Sequence, residues 1–215
     1  MKKLVAIICI LLVIFVGMYV NRSKSNQNLI TATEVEKVEE YISKIYMWKE
    51  ITGDALPKFD NINLIQNMRN KFDTLATLVP PHITLAFPFS DDMSDDELVE
   101  KLSDLLKYYN PFGVTFKGLS LSTDNYIFLN CIKGNEKIIQ LHNEIYKKII
   151  PTHFKKSIEY IPHITLGQSN SIEELNYFNY EFSTIIDEIS IELIGEHEES
   201  IIIKNIKLGE LSWII

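Results

Sequence analysis

Apolar positions after residue 30 fall into helical and alternating stretches. Val35, Val38, Ile42 and Ile45 predict a helix over 34–49, entered through the capping box Thr33-Glu34-Val35-Glu36. Ile62, Ile65, Met68 and Phe72 predict a second, short helix. Leu98, Leu102, Leu105 and Tyr109 mark a third behind the capping box Ser94-Asp95-Asp96-Glu97. Ile138, Leu141, Ile145 and Ile149 mark a fourth, and Ser171 to Phe178 a short fifth. Alternation takes over between these. Val114-Thr115-Phe116 and Leu119-Ser120-Leu121 read as one strand with a bulge at Gly118. A turn at Thr123-Asp124-Asn125 leads into a strand over Tyr126–Ile132. Ile185–Ile194 and Ser200–Leu208 are strands joined by the charged turn Gly195–Glu199.

The N-terminus follows neither period. After Met1-Lys2-Lys3 the chain is apolar from Leu4 to Val20, with Gly17 the one interruption. As a helix this run spans about 26 Å, a little under the hydrocarbon thickness of a bilayer. No small-x-small cleavage site follows it, so the expectation is an uncleaved single-pass anchor rather than a signal peptide. Lys2 and Lys3 on one flank balance Arg22 and Lys24 on the other, which leaves the side of the membrane open. The expected organisation is an anchor over 1–24, a linker and juxtamembrane helix over 25–54, and a catalytic-type domain over 55–215.

One pentapeptide occurs twice. Pro81-His82-Ile83-Thr84-Leu85 returns as Pro162-His163-Ile164-Thr165-Leu166, with histidines 82 and 163 separated by 81 residues. The residue before a proline is pushed toward extended geometry, and Ile-Thr-Leu favours strands. Side chains two apart on a strand share a face, so His82 pairs with Thr84 and His163 with Thr165. Ile83, Leu85 and Phe87 point the other way, as do Pro162, Ile164 and Leu166, and these sets are expected to face the core. Ala86 and Gly167 follow on the histidine faces, and small residues there leave room for a ligand. Both halves run helix, His-Thr strand, helix, hairpin. This order predicts an α+β fold of two similar lobes with mostly antiparallel sheets.

Composition narrows the chemistry. At 46% apolar and 23% charged the chain is ordinary globular material, and its net charge of −8 disfavours gripping a long duplex through its phosphates. The two cysteines, Cys9 and Cys131, supply neither a disulfide framework nor a zinc spacing. The acids from Asp91 to Glu97 fit a helix N-terminus better than a metal site.

Free imidazole titrates near pH 6.5, so two histidines facing one phosphate can divide the base and acid roles. The threonine hydroxyls can hold its non-bridging oxygens. That chemistry calls for no metal or cofactor, and neither motif contains an Asp or Glu to complete a metal site. The remaining histidines lack such support: His142 on a helix, His153 in a loop beside Lys155 and Lys156, and His197 in a hairpin turn are expected at the surface. Lys155 or Lys156 is a further candidate to approach a phosphate.

Two His-hydrophobic-Thr-hydrophobic motifs about eighty residues apart resemble the signature of the 2H phosphoesterase superfamily. The likeness is to its branch of 2'-5' RNA ligases and RNA 2',3'-cyclic phosphodiesterases, and it covers about residues 55–215. The resemblance implies a bilobal, pseudo-twofold fold in which antiparallel sheets line a central groove. It implies His82 and His163 as the acid–base pair, Thr84 and Thr165 as phosphate binders, and no metal. The implied reaction opens a 2',3'-cyclic phosphate or a related 2'-5' phosphodiester of a nucleotide or RNA end. The chain departs from the family in two ways. Gln168 stands where a basic residue often follows the second motif. The segment before Ile62 also looks helical where an opening strand is usual, so that strand is absent, altered or hidden near Ser43–Ile51.

Two rival readings stay open. The groove is either catalytic or a binding module that holds a phosphorylated ligand without cleaving it, a choice the acidic charge and Gln168 keep alive. The third reading is a membrane-tethered partner-binding protein whose motifs are relics. Which phosphodiester is used, and which histidine is the base, are not set by the sequence, and nothing in it sets an oligomeric state.

Overall fold

The computed structural model describes residues 50–157, 159–171, 175 and 177–210. The apolar run Leu4–Val20, the helix expected over 34–49 and half of that expected over Ser171–Phe178 lie outside the described residues. In chain order the elements are β1 (Ile51–Ala55), α1 (Ile62–Phe72), β2 (Ile83–Phe89), α2 (Asp95–Leu106), β3 (Phe112–Leu121) and β4 (Tyr126–Lys133). Then follow α3 (Asn135–Lys148), a 3-10 turn at Pro151–His153, β5 (His163–Gln168), β6 (Glu181–Ile186), β7 (Glu188–Ile194) and β8 (Ser200–Lys207). No described helix is long and apolar enough to cross a membrane.

The strands form two four-stranded sheets, ordered β2-β1-β7-β8 and β5-β4-β3-β6, with every pairing antiparallel. The expected α+β class with antiparallel sheets is what the chain adopts. The make-up of the sheets is a correction. The hairpin that follows the first motif, β3–β4, joins the sheet of the second motif. The last hairpin, β7–β8, returns to the sheet of the first. Alternation marks a strand and its apolar face, but it does not say which distant edge the strand will pair with. The helices cross over as well. α1 follows β1 in the chain yet packs on β5, and α3 follows β4 yet packs chiefly on β2.

The opening strand is present as β1, where the sequence reading saw helix and placed a linker. It is five residues long, all buried, and central in its sheet, paired with β2 on one side and β7 on the other. Gly53 and Asp54 are poor strand formers, which hides the element from a propensity reading. The sheet therefore begins at Ile51, ahead of the boundary expected at 55. Where one strand was expected over Ile185–Ile194 there are two, because the chain leaves one sheet and enters the other at Asp187.

The apolar faces behave as the period predicts. Ile83, Leu85, Ile164 and Leu166 are buried with Phe116, Phe182, Ile127, Leu129 and Ile65 in one continuous core. Ser94 caps α2 by accepting from the Glu97 N–H, and the acids Asp95, Asp96 and Glu97 occupy its first turn. The bulge expected at Gly118 is there, with a left-handed φ of 76° and a register shift between Phe116 and Leu119.

Candidate active site

β2 and β5, which carry the two motifs, are the outer strands of their sheets and pack against one another. The two histidines are held alike. The Nδ1 of His82 lies 2.9 Å from the Pro80 carbonyl oxygen, and that of His163 lies 2.6 Å from the Ile161 carbonyl oxygen. A carbonyl only accepts, so each Nδ1 carries the proton. Each Nε2 is left to accept a proton when the ring is neutral, or to give one when it is charged.

The second motif lies on a half-buried face. Thr165 stands opposite Phe128, and His163 opposite Asn130, across the β4–β5 ladder. The Phe128 ring stacks on the His163 imidazole with centroids 3.7 Å apart and planes 27° apart. Asn130 is itself fixed by a hydrogen bond from the Ser120 hydroxyl, 2.8 Å away. Burial holds the His163 pKa below the ordinary imidazole value. The Ile161 carbonyl opposes that shift, and a positive charge on His82 adds to it.

The first motif lies over a more deeply buried polar floor. Asp54 of β1 stands directly opposite Thr84 of β2 and opposite Ser190 of β7, while Thr52 stands opposite Glu192. Asp54, Ser190 and Glu192 are all buried. The Thr52 hydroxyl lies 2.9 Å from the Ala86 carbonyl and 3.3 Å from Asp54 Oδ2. Burial pushes the Asp54 carboxyl up to about 7, while a charge on His82 pulls it down and Glu192 pushes it up.

Side chains from elsewhere in the chain satisfy the outer edge of β2. The Tyr160 hydroxyl donates to the Thr84 carbonyl at 2.8 Å, and His142 Nδ1 donates to the Leu85 carbonyl at 2.8 Å. The Phe87 N–H donates to the Tyr146 hydroxyl at 3.0 Å. The rings of Tyr160 and His142 stack at 3.7 Å with a 2° angle between planes. Buried Arg69 steadies the approach to His82 by donating to the Val79 carbonyl and to Asp73, both at 2.6 Å.

His82, Thr84, His163 and Thr165 are all half-exposed; His163 and Thr165 share a face of β5, and His82 immediately precedes β2, which carries Thr84. Three expectations need correction. His142 is not a surface residue: it is 3% exposed, because the edge of β2 needed a donor. Ala86 and Gly167 do not leave room for a ligand. Ala86 is packed against Gly53, and a side chain on Gly167 would meet the Phe72 carbonyl oxygen at 2.1 Å. His153 is half-buried and bonded to Asp91 at 2.8 Å, whereas His197 is exposed as expected. Lys155 and Lys156 are exposed, and Gln168 reaches back to the Asp124 carbonyl at 3.4 Å. Asp54, Tyr160 and Phe128 were not legible as site residues, since each reaches the site through a pairing set by the fold. A cavity of about 500 Å³ beside Tyr109, Pro111, Gln140 and Lys148 includes none of the site residues in its lining.

The family description "2'-5' RNA ligase superfamily" matches residues 56–192. The chain belongs to this superfamily. Among superfamily relatives, a provisionally named phosphoesterase of Bacillus licheniformis is 30% identical over 119 residues, covering 52% of this chain and 66% of that protein. Another, from Geobacillus sp. strain WCH70, is 32% identical over 103 residues, covering 46% of this chain and 58% of that protein. The chain thus spans less than two thirds of the length of either relative. Among solved structures, E. coli LigT complexed with 3'-AMP aligns with a TM-score of 0.54 at 17% identity, covering 75% of this chain and 99% of that one. TT0787 of Thermus thermophilus aligns with a TM-score of 0.55 at 11% identity, covering 74% and 98%. At these identities the two structures establish the fold that the superfamily shares with this chain.

Proposed function

We propose that this member of the 2'-5' RNA ligase superfamily is a phosphodiesterase of the 2H type. It opens 2',3'-cyclic phosphates or related 2'-5' phosphodiesters of nucleotides or RNA ends. The observation that carries the reading is the matched anchoring of two imidazoles through Nδ1, on neighbouring edge strands, with a threonine two residues on in each. The relatives named phosphoesterases, and the 3'-AMP bound by E. coli LigT, support the reaction class and a nucleotide-sized ligand.

In this mechanism His163 is the base, since burial favours its neutral form. Its Nε2 takes a proton from water as the water oxygen attacks phosphorus. The bond from phosphorus to the leaving ribose oxygen breaks, and His82 Nε2 delivers a proton to that oxygen. The product is a phosphomonoester. The Thr84 and Thr165 hydroxyls donate to the non-bridging oxygens, where charge builds up in the transition state. Each proton-transfer role contributes roughly 10²–10⁴-fold.

The test is turnover of 2',3'-cyclic nucleotides by the full chain with a chelator present. His82→Ala and His163→Ala are expected to abolish turnover while leaving the circular dichroism spectrum unchanged. Full activity in either variant removes the mechanism. The exposed Gln168, tied to the Asp124 carbonyl where a cation would favour an anion, sustains the second reading of a non-catalytic binding module. Saturable binding of cyclic nucleotides without product would select it. The run Leu4–Val20 is proposed to anchor the chain in a membrane. Recovery of the full chain with membranes after alkaline carbonate washing supports this, and recovery in the supernatant opposes it.

A further inference from the structure

The reaction proposed above asks His82 to hold a proton until the leaving oxygen needs it, and the sheet beneath the first motif contains a group placed to secure it. β1 runs through the middle of its sheet, and Asp54 is its register partner to Thr84. Residues directly opposite on antiparallel strands share a face with Cβ atoms about 5 Å apart, and diagonal neighbours lie about 7–8 Å apart. His82 immediately precedes β2 and is two residues upstream of Thr84, so extending the strand's alternation by one residue puts it on the side of Thr84, the partner of Asp54.

The surroundings of Asp54 make it unusual. It is 2% exposed, its Oδ1 and the Oε1 of the facing Glu192 make no hydrogen bond, and the Thr52 and Thr84 hydroxyls beside it favour its charged form. A carboxylate sealed from water with one oxygen unpartnered is costly unless a positive charge lies close. The titratable groups that face it are His82 from the segment before β2, Glu192 from β7 and the Tyr160 phenol from the segment before β5. Of these three, only His82 can carry a positive charge. Glu192 accepts a hydrogen bond from the Ser200 hydroxyl and, lying close, resists a second negative charge at Asp54. The carboxyl is therefore poised to ionise in the range where imidazoles titrate, and its ionisation is favoured when His82 is charged.

We infer that Asp54 is a positioning residue that sets its carboxylate against the His82 imidazolium from the neighbouring strand, so that His82 keeps the proton it is to donate. The inference rests on the acid role given to His82, but the pairing can be measured without any substrate. The carboxyl carbon of Asp54 is titrated by NMR in the full chain and in His82→Ala. Loss of the imidazolium is expected to move the Asp54 midpoint upward by about one pH unit. An unchanged midpoint overturns the inference.

In turnover, Asp54→Asn keeps the shape and the acceptor for Thr52 but removes the charge. It is expected to lower kcat by about tenfold with little change in KM. The alkaline limb of the pH–rate profile should also move to lower pH. A purely structural Asp54 would lower the unfolding midpoint and leave that limb in place, which also overturns the inference. A shifted Asp54 midpoint in a chain that cleaves no cyclic phosphodiester would keep the Asp54–His82 pair and remove the proposed reaction.

Discussion

The Tyr160 hydroxyl donates to the Thr84 carbonyl oxygen at 2.8 Å, and so joins the approach to one motif to the backbone of the other. Tyr160 lies three residues before His163, while Thr84 follows His82 by two. One phenol therefore couples the two motif strands, and its ring is braced by the buried His142 imidazole. This bond links segments whose relative position decides whether two imidazoles can share a phosphorus centre.

Tyr160→Phe keeps the stacked ring and removes only the donor. The half-buried carbonyl loses its partner, and stability should fall by roughly 1 kcal/mol. Turnover should fall by more than stability alone accounts for at a temperature where the variant remains folded, because the motif strands are less well aligned. Urea unfolding and kcat at one temperature separate the two effects. Unchanged kcat would mean that the coupling has no part in catalysis.

Phe128 covers one face of His163, and burial is the leading cause of that imidazole's lowered pKa. A base must be neutral to act, so activity should be lost as pH falls through the His163 pKa. Phe128→Ala admits water to the ring, eases formation of the charged state and should raise that pKa. The acidic limb of kcat/KM is expected to move to higher pH. A limb that stays in place would show that another group controls it.

His142 gives a stability prediction with a defined sign. Burial lowers its folded-state pKa below the ordinary imidazole value, and the Leu85 carbonyl only partly offsets this. The unfolded chain therefore binds the proton more readily. Stability from this group is present above the unfolded value of about 6.5 and declines as pH falls below it, levelling off beneath the folded value. His142→Gln keeps a donor for Leu85 without the titration. Urea midpoints measured across this range should fall less steeply for the variant than for the parent chain, and parallel slopes would refute the assignment.

Gly167 combines a left-handed φ of 123° with close approach of the end of α1. In Gly167→Ala the new Cβ would overlap the Phe72 carbonyl, and the backbone would be strained as well. The expected cost is about 3 kcal/mol. Denaturant unfolding measures it directly, and a loss below about 1 kcal/mol would mean that α1 shifts freely.

Periodicity was enough to find α1, α2, α3, the β3–β4 hairpin and the faces of both motif strands, because helical and strand periods are written in neighbouring residues. The same local pattern established that His82 shares a face with Thr84, and His163 with Thr165. It missed β1, whose Gly53 and Asp54 disfavour strands in isolation and are held by pairing with Ala86, Thr84 and Ser190. It also misplaced His142, since the need for a donor at the edge of β2 arises only once α3 packs there.

What the sequence determined by itself was therefore the duplicated His-Thr chemistry and its local facing. The tertiary structure alone decided which hairpin completes which sheet, that Gly167 is filled by a helix end, and that Asp54 and Tyr160 stand beside the first motif. Those outcomes depend on backbone pairings and contacts between segments far apart in the chain. No local hydrophobic period encodes such distant partners; they are selected by the packing of two sheets around a shared core.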